Sequence, residues 1–173
     1  MNVQEPHLVI PKAPSAGAPK ELLASSTFLM KRLGFAAKER SFEAFQGTGL
    51  QPFHFAVLAL LEEDPRETQA AIADALGYDR SHVVRLLDEL EERELVVRKR
   101  DPDDRRRHVV KMTPAGHKTL DRLRALVNEQ EEAFLAPLNA AQRATLHELL
   151  QKLAGYHDPR CASLKAVADP APN

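Results

Sequence analysis

The sequence predicts a mainly α-helical fold with one small β-hairpin. Apolar residues recur at helical spacing through most of the 173 residues, and the chain has no Trp and only 5% aromatic residues, which favours an aliphatic helical core. Two β-branched runs, LVVRKR and HVVKMT, flank the turn-forming segment DPDDRRR and predict the hairpin. Hydrophobic and charged fractions of 43% and 28% are those of an ordinary globular protein.

The two ends of the chain are predicted to lie outside this fold. Residues 1–19 are rich in Pro, Ala, Gly and Ser and are expected to form a flexible arm, and residues 158–173 a similar tail. The N-terminal segment lacks the pattern of a signal peptide, and no apolar run approaches membrane-spanning length. With Cys161 as the single cysteine, no intrachain disulfide is possible, so we expect a cytoplasmic protein.

Helical spacing predicts the elements before and after the centre of the chain. Residues 20–45 are predicted to form one long helix, which QGTGLQP ends, and residues 53–63 a short apolar helix that should be buried. After the hairpin, Thr113-Pro114 marks the start of a helix that runs to about Leu135. A last helix is predicted over about 140–155, with Gly155 ending it.

The segment QAAIADALGYDRSHVVRLLDEL has the pattern of a helix-turn-helix. Thr68 and Asp79 are candidate N-caps of two consecutive helices. Ala73 supplies the small residue where the helices touch, Gly77 the turn, and Val83 the β-branched residue that fills the gap between them. An ordinary buried helical hairpin is the alternative, and the β-hairpin that follows favours the winged helix-turn-helix.

The second helix of this motif is polar and basic at its start. A helix that enters the major groove by its N-terminal end places donors near bases and phosphates, where its dipole is favourable. We therefore predict a bidentate contact of Arg85 to guanine, and a base or phosphate contact of Ser81 or His82. Arg80 is predicted to contact the DNA backbone. A solvated helix face is the alternative for each. The acidic residues near the end, expected to point away from DNA, are Asp88, Glu89 and Glu92.

The hairpin is strongly basic in a chain whose formal net charge is -1. Its arginine-rich tip is predicted to reach into a minor groove, and Asp104 is predicted to pair with Arg106 and aim it. A solvated charged loop is the alternative. Against Asp101, Asp103 and Asp104, the basic residues are Arg98, Lys99, Arg100, Arg105, Arg106, Arg107 and Lys111.

Most of residues 22–155 resembles the MarR family of bacterial winged-helix regulators. The most specific segments are Asp104-x-Arg106 and Thr113-Pro-x-Gly116. The resemblance implies a homodimer with a helical dimerisation region (20–51 and 114–157) and a DNA-binding lobe (52–113). The apolar stripes on the terminal helices also need burial that a small lobe does not supply. Two lobes would read a pseudo-palindromic operator with half-sites ~10 bp apart.

The resemblance also implies repression that a small, often aromatic or anionic, ligand relieves. Arg32 and His54 are candidate ligand contacts in a crevice between the two regions. The alternatives are an intersubunit salt bridge for Arg32 and a satisfied core histidine for His54. Cys161 leaves open a thiol-responsive regulator. The four-residue spacing of His157 and Cys161 is a weak indication of a metal-responsive regulator. Neither pattern is specific.

An enzyme and a protein-interaction module are the two other classes of function for this sequence. The sequence has no phosphate-binding Gly loop, serine elbow or paired catalytic motif, so we expect neither an enzyme nor a bound cofactor or metal. A winged-helix protein-interaction module is the remaining alternative. Such modules usually lose the basic hairpin, which this chain keeps.

Overall fold

The computed structural model describes residues 17–63, 68–100 and 108–162. In these ranges the chain is mainly helical with one two-stranded hairpin, which confirms the predicted fold class. The elements are α1 (Lys20–Leu23), α2 (Ser26–Ala44), α3 (Pro52–Glu63), α4 (Gln69–Leu76), α5 (Arg80–Glu92), β1 (Val96–Arg100), β2 (His108–Met112), α6 (Pro114–Phe134), α7 (Ala140–His157) and a 3₁₀ turn (Pro159–Cys161).

Side-chain caps begin the helices where the sequence predicts them. A side-chain oxygen just before each helix accepts a hydrogen bond from a backbone N–H of the first turn, which typically contributes about 1 kcal/mol. Pro114 is the first residue of α6, as predicted. The three caps are Thr68 to Ala71 (3.1 Å), Asp79 to Ser81 (2.8 Å) and Thr113 to Gly116 (3.0 Å).

The prediction of one helix over residues 20–45 was wrong. α1 ends at Leu23, the backbone becomes extended at Ser25, and the Ser25 side chain caps α2 by accepting a hydrogen bond from the Phe28 N–H at 3.3 Å. A serine hydroxyl that bonds the backbone favours a cap over a helix interior. The apolar spacing continues across this break, which is why periodicity alone predicts a single helix.

The C-terminal end of the last helix also differs from the prediction. Gly155 lies inside α7, which continues to His157. Asp158 ends the helix in an extended conformation, the one that the following Pro159 favours. The predicted tail therefore begins with a structured 3₁₀ turn, in which the Asp158 carboxylate accepts a hydrogen bond from the Arg160 N–H at 3.1 Å.

One aliphatic core holds α3, α4, α5, the hairpin and the start of α6 together. The predicted burial of the apolar helix is confirmed, since α3 contributes four buried residues. Each valine or leucine side chain that is fully buried stabilises the fold by about 1.5–3 kcal/mol. The largest fully buried aliphatic side chains are Val57, Leu58, Leu61, Ile72, Val83, Leu86, Leu87, Leu90, Val96, Val109 and Leu120.

The hairpin is antiparallel and is fixed at its base to α6. Val96 pairs with Met112 at the base and Arg100 with His108 at the far end. The Thr113 N–H donates to the Leu95 carbonyl oxygen at 3.0 Å. Gly116, one turn into α6, lies so close that an added Cβ would be 2.2 Å from that oxygen. The absence of a side chain at Gly116 therefore allows α6 to pack against the hairpin.

Within the described residues, α1, α2 and α7 bury no side chain completely. None of the described helices combines the length and apolar character needed to cross a bilayer. Apolar faces of this extent usually mark a contact surface. The large apolar residues left exposed on these helices are Leu22, Leu23, Leu29, Met30, Leu33, Phe35, Leu149, Leu150, Leu153 and Tyr156.

Candidate nucleic-acid interface

The α4–α5 pair has the predicted helix-turn-helix geometry. Gly77 ends α4 at φ 65°, a left-handed conformation that favours glycine. The Tyr78 N–H then donates to the Ala73 carbonyl oxygen at 3.0 Å, which closes the turn. Ala73 and Val83 are 2% and 0% exposed, as their predicted packing roles require. The turn therefore directs the N-terminal end of α5 away from the core.

The first turn of α5 is an exposed, polar helix end. Arg80 and Ser81 are exposed, and the Ser81 Oγ lies 2.5 Å from the Asp79 carboxylate. Hydrogen bonds from the Ser81 hydroxyl and then from two backbone N–H groups hold the pKa of Asp79 below its ordinary value. Asp79 therefore stays charged as a cap, and the Ser81 hydroxyl is already engaged with it.

Arg85 lies one turn further along the same exposed face. Its Nη1 donates to Oε1 of Glu89 at 2.7 Å, and the Arg85 side chain is 56% exposed. The other carboxylate oxygen of Glu89 lies 2.9 Å from Nε2 of His54 on α3. These two atoms are in contact without the alignment of a hydrogen bond, so the contact is electrostatic. The structure thus joins Arg85 to the core through Glu89.

His54 is a buried residue of the core, only 1% exposed. Its Nδ1 accepts a hydrogen bond from the Gln51 N–H at 2.9 Å, so the neutral ring carries its proton on Nε2. Burial lowers the pKa of His54 in spite of the neighbouring Glu89, which acts in the opposite direction. This environment is that of a buried core histidine with one ring nitrogen hydrogen-bonded and the other without an aligned partner, and the ligand contact of His54 stays a prediction.

His82 belongs to an aromatic cluster that sequence reasoning missed. Its ring stacks on Tyr78 (5.7 Å, 20°) and meets Phe53 edge-on at 4.9 Å, and Phe53 in turn contacts Phe42 of α2. Nε2 of His82 is buried without a hydrogen-bond partner. A DNA contact of His82 therefore requires the other edge of the ring or a rearrangement. The aromatic residues beside the QGTGLQP break and in the turn were the available signal.

Arg98 in the middle of β1 is bound to α5. Its Nη1 donates to Glu91 at 2.8 Å and its Nη2 to Asp88 at 2.6 Å. The Arg98 N–H also donates to Glu91 at 3.0 Å, and the side chain is 21% exposed. Arg98 is thus neutralised by acidic residues in the second half of α5, although the charge count included it in the basic hairpin. We call this set of contacts the Arg98 clasp.

Of the remaining candidate residues, the structure describes Arg32, Lys99 and Arg100. Lys99 and Arg100 are exposed near the end of β1. Arg32 is exposed on α2. The tip of the hairpin lies outside the described residues, so the roles of Asp104, Arg105, Arg106 and Arg107 stay predictions.

A groove of about 830 Å³ lies between α2 and α6. Arg40 and Glu43, which pair at 3.4 Å, line one wall, and Leu126 and Phe134 line the other. Its lining includes neither Arg32 nor His54. Among the described residues, no group of three or more His, Cys, Asp or Glu side chains is arranged to hold a metal ion.

Comparisons with known proteins agree with this geometry. The model of the MarR family matches residues 48–107. The chain is 39% identical over 105 residues to a putative transcriptional regulatory protein for the hcr operon of Thauera aromatica. That alignment covers 61% of the chain and 63% of the relative, somewhat less than two thirds of its length.

Two solved structures of the repressor CouR have the same fold. CouR bound to a 23-mer DNA duplex is 34% identical, with a TM-score of 0.73 over 81% of this chain and 99% of that one. CouR from Rhodococcus jostii RHA1 bound to p-coumaroyl-CoA is 30% identical, with a TM-score of 0.69 over 80% and 95%. Together with the helix-turn-helix and hairpin geometry, these matches show that the chain belongs to the MarR family of transcriptional regulators.

Proposed function

We propose that the chain is a sequence-specific DNA-binding repressor that acts as a cytoplasmic homodimer, without enzymatic activity. The observation that carries this proposal is the exposed, polar N-terminal end of α5, on a helix whose second half is joined to the hairpin by the Arg98 clasp. A helix and a hairpin held together in this way can enter adjacent grooves of one DNA segment. CouR, which has this fold, was solved on a DNA duplex.

The proposed DNA contacts are of two kinds. Arg85 reads a guanine, and the other residues of the first turn of α5 contact base edges or phosphates. The arginines at the hairpin tip, held by Asp104, enter the minor groove. The residues assigned to DNA are Arg80, Ser81, His82, Arg85, Arg105, Arg106 and Arg107.

The uncovered helices supply the proposed dimer interface. α1, α2 and α7 expose large apolar side chains, among them Leu33 (54%) and Leu149 (55%). A second copy related by a two-fold axis would cover these faces and place two lobes on a pseudo-palindromic operator. We therefore assign residues 20–51 and 114–157 to dimerisation and residues 52–113 to the DNA-binding lobe.

The proposed effector is a small aromatic or anionic molecule. CouR was also solved with p-coumaroyl-CoA, an aromatic thioester. The groove between α2 and α6 is large enough for an aromatic acid, and Arg32 and His54, which do not line this groove, remain separate proposed ligand contacts. A ligand bound between the dimerisation helices could change the relative position of the two DNA-binding lobes in the proposed dimer.

A salt titration of DNA binding tests the proposed function. For a duplex selected by the protein from a random pool, we expect log affinity to fall linearly with log salt, by roughly 10³–10⁵ between 50 and 200 mM. A scrambled duplex of equal length is the control and should bind more weakly at every salt concentration. Absence of DNA binding, or affinity independent of salt, would favour a protein-interaction module instead.

Arg85→Ala is expected to reduce affinity for the selected duplex about tenfold and to relax sequence preference. The reason is the loss of a base contact from an exposed side chain, which leaves the core intact. Competition binding with single-base variants of the duplex measures both effects. Arg122→Ala, which removes an exposed arginine from α6, is the control. An equal loss on all sequences would make Arg85 a phosphate contact.

A further inference from the structure

Three side chains form a line from the exposed face of α5 into the core. Arg85 is 56% exposed, Glu89 is 33% exposed and His54 is 1% exposed. We infer that Glu89 is a positioning residue that holds Arg85 in the orientation that reads a base, and that His54 fixes Glu89 from behind. This inference rests on the proposed DNA-binding function and adds to it the residues that determine its specificity.

Both carboxylate oxygens of Glu89 are engaged, and by different helices. Oε1 accepts from Arg85 Nη1 at 2.7 Å, and Oε2 lies 2.9 Å from His54 Nε2. Two partners on opposite sides prevent the carboxylate from rotating, which a single exposed ion pair would not do. The remaining N–H groups of the Arg85 guanidinium stay available for the O6 and N7 acceptors of guanine.

The contact between His54 and Glu89, which we call the rear contact, is fixed by the core. His54 is held on α3, and its Nδ1 accepts from the Gln51 N–H at 2.9 Å, which leaves the ring proton on Nε2, the atom that lies 2.9 Å from Glu89. The ring cannot turn away without breaking this hydrogen bond in a buried environment, which is costly. The orientation of Arg85 is therefore determined by a residue from a different helix.

The negative charge of Glu89, taken alone, predicts that Glu89 weakens DNA binding, which is the opposite of the effect of a positioning residue. Glu89 was expected to point away from DNA, but it pairs with Arg85, so in the proposed complex its carboxylate would lie near the DNA. A carboxylate there repels phosphates, so its removal should tighten binding to every sequence. A positioning role predicts instead that its removal weakens binding to the preferred sequence. The two explanations differ in the sign of the effect, which makes the role of Glu89 measurable.

Glu89→Gln is the decisive variant, because it keeps the shape of the side chain and removes its charge. We expect affinity for the selected duplex to fall roughly five- to tenfold, while affinity for the scrambled duplex is unchanged or rises slightly. Glu92→Gln is the matched control, since it removes the same charge from an exposed position of the same helix. An equal gain on both duplexes in both variants would overturn the inference.

Variants at His54 test the rear contact separately. His54→Gln keeps an N–H near the position of Nε2 and should retain most of the discrimination between duplexes, whereas His54→Met should lose it. Thermal unfolding of each variant shows whether it is folded. If a His54 variant does not fold, the Glu89→Gln result decides alone. If both folded His54 variants discriminate equally well, His54 has no part in positioning.

The outcomes separate this inference from the proposed function. A wild-type protein that prefers no DNA sequence would overturn the proposed function itself. A wild-type protein that discriminates, with Glu89→Gln indistinguishable from Glu92→Gln, would overturn only the inference. The double variant Arg85→Ala/Glu89→Gln should discriminate no worse than Arg85→Ala alone, because Glu89 acts through Arg85. Additive losses would contradict that dependence.

Discussion

Gly116→Ala is expected to lower the free energy of unfolding by about 3 kcal/mol. The added Cβ would lie 2.2 Å from the Leu95 carbonyl oxygen and 2.5 Å from Cγ of Met112. The Met112 side chain can move aside, but the carbonyl belongs to the backbone at the base of the hairpin. α6 must therefore shift away from β1 and β2, and the capping hydrogen bond from Gly116 to Thr113 shifts with it.

Denaturant unfolding at fixed protein concentration measures this effect, since the apparent stability of an oligomer depends on concentration. Gly34→Ala is the matched control. Nothing lies within 4 Å of the Cβ it would add, and the position is inside α2. That variant should be more stable by about 0.5–1 kcal/mol, because alanine favours helix more than glycine does. A Gly116→Ala protein as stable as the wild type would show that the hairpin base is not tightly packed.

Arg98→Met is expected to weaken binding to the selected duplex by about 2 kcal/mol, roughly 30-fold. The variant keeps the apolar stem and the backbone hydrogen bond to Glu91 but removes the side-chain hydrogen bonds to Asp88 and Glu91. The hairpin is then held less firmly against α5, and in the proposed complex its tip would fit less well into the groove beside the one that α5 would enter. Because these carboxylates are 51% and 39% exposed, solvent screens them, and the loss of folding stability should be smaller, about 1 kcal/mol.

Lys99→Met is the control for Arg98→Met. It removes the same charge from the next, exposed position of β1 and breaks none of the contacts of the Arg98 clasp. We expect a loss of less than about fivefold, typical of one phosphate contact. Fluorescence anisotropy with a labelled duplex compares the two variants directly. Equal losses would mean that charge, rather than hairpin orientation, explains the effect of Arg98.

Local chemistry explains which parts of the fold were predictable. The caps Thr68, Asp79 and Thr113 and the turn at Gly77 depend on residues within a few positions of each other, so the sequence reveals them. The break at Ser25 was missed because apolar spacing continues through it, and a single hydroxyl decides between helix and cap.

The exposed face of the candidate site was predictable from the sequence, but the side-chain contacts that join this face to other elements were not. Helical spacing places Ser81 and Arg85, which are four residues apart, on one side of α5 without further information. The contact between Glu89 and His54 joins α5 to α3, and Arg98 reaches back to Asp88 across ten residues. Such partners depend on how separate elements pack, which a single sequence does not display.

If the proposed function holds, the Arg98 clasp affects how a ligand would release the protein from DNA. Because it ties the hairpin to α5, the two elements form one rigid unit, and a ligand bound near α2 and α6 does not need to unfold either of them. It can act on the separation of the two units in the dimer. Successive base pairs are 3.4 Å apart along DNA, so a displacement of roughly that size puts one unit out of step with its half-site. Derepression would then result from a difference between the spacing of the two units and the spacing of the two half-sites, with every DNA-contacting side chain still in place.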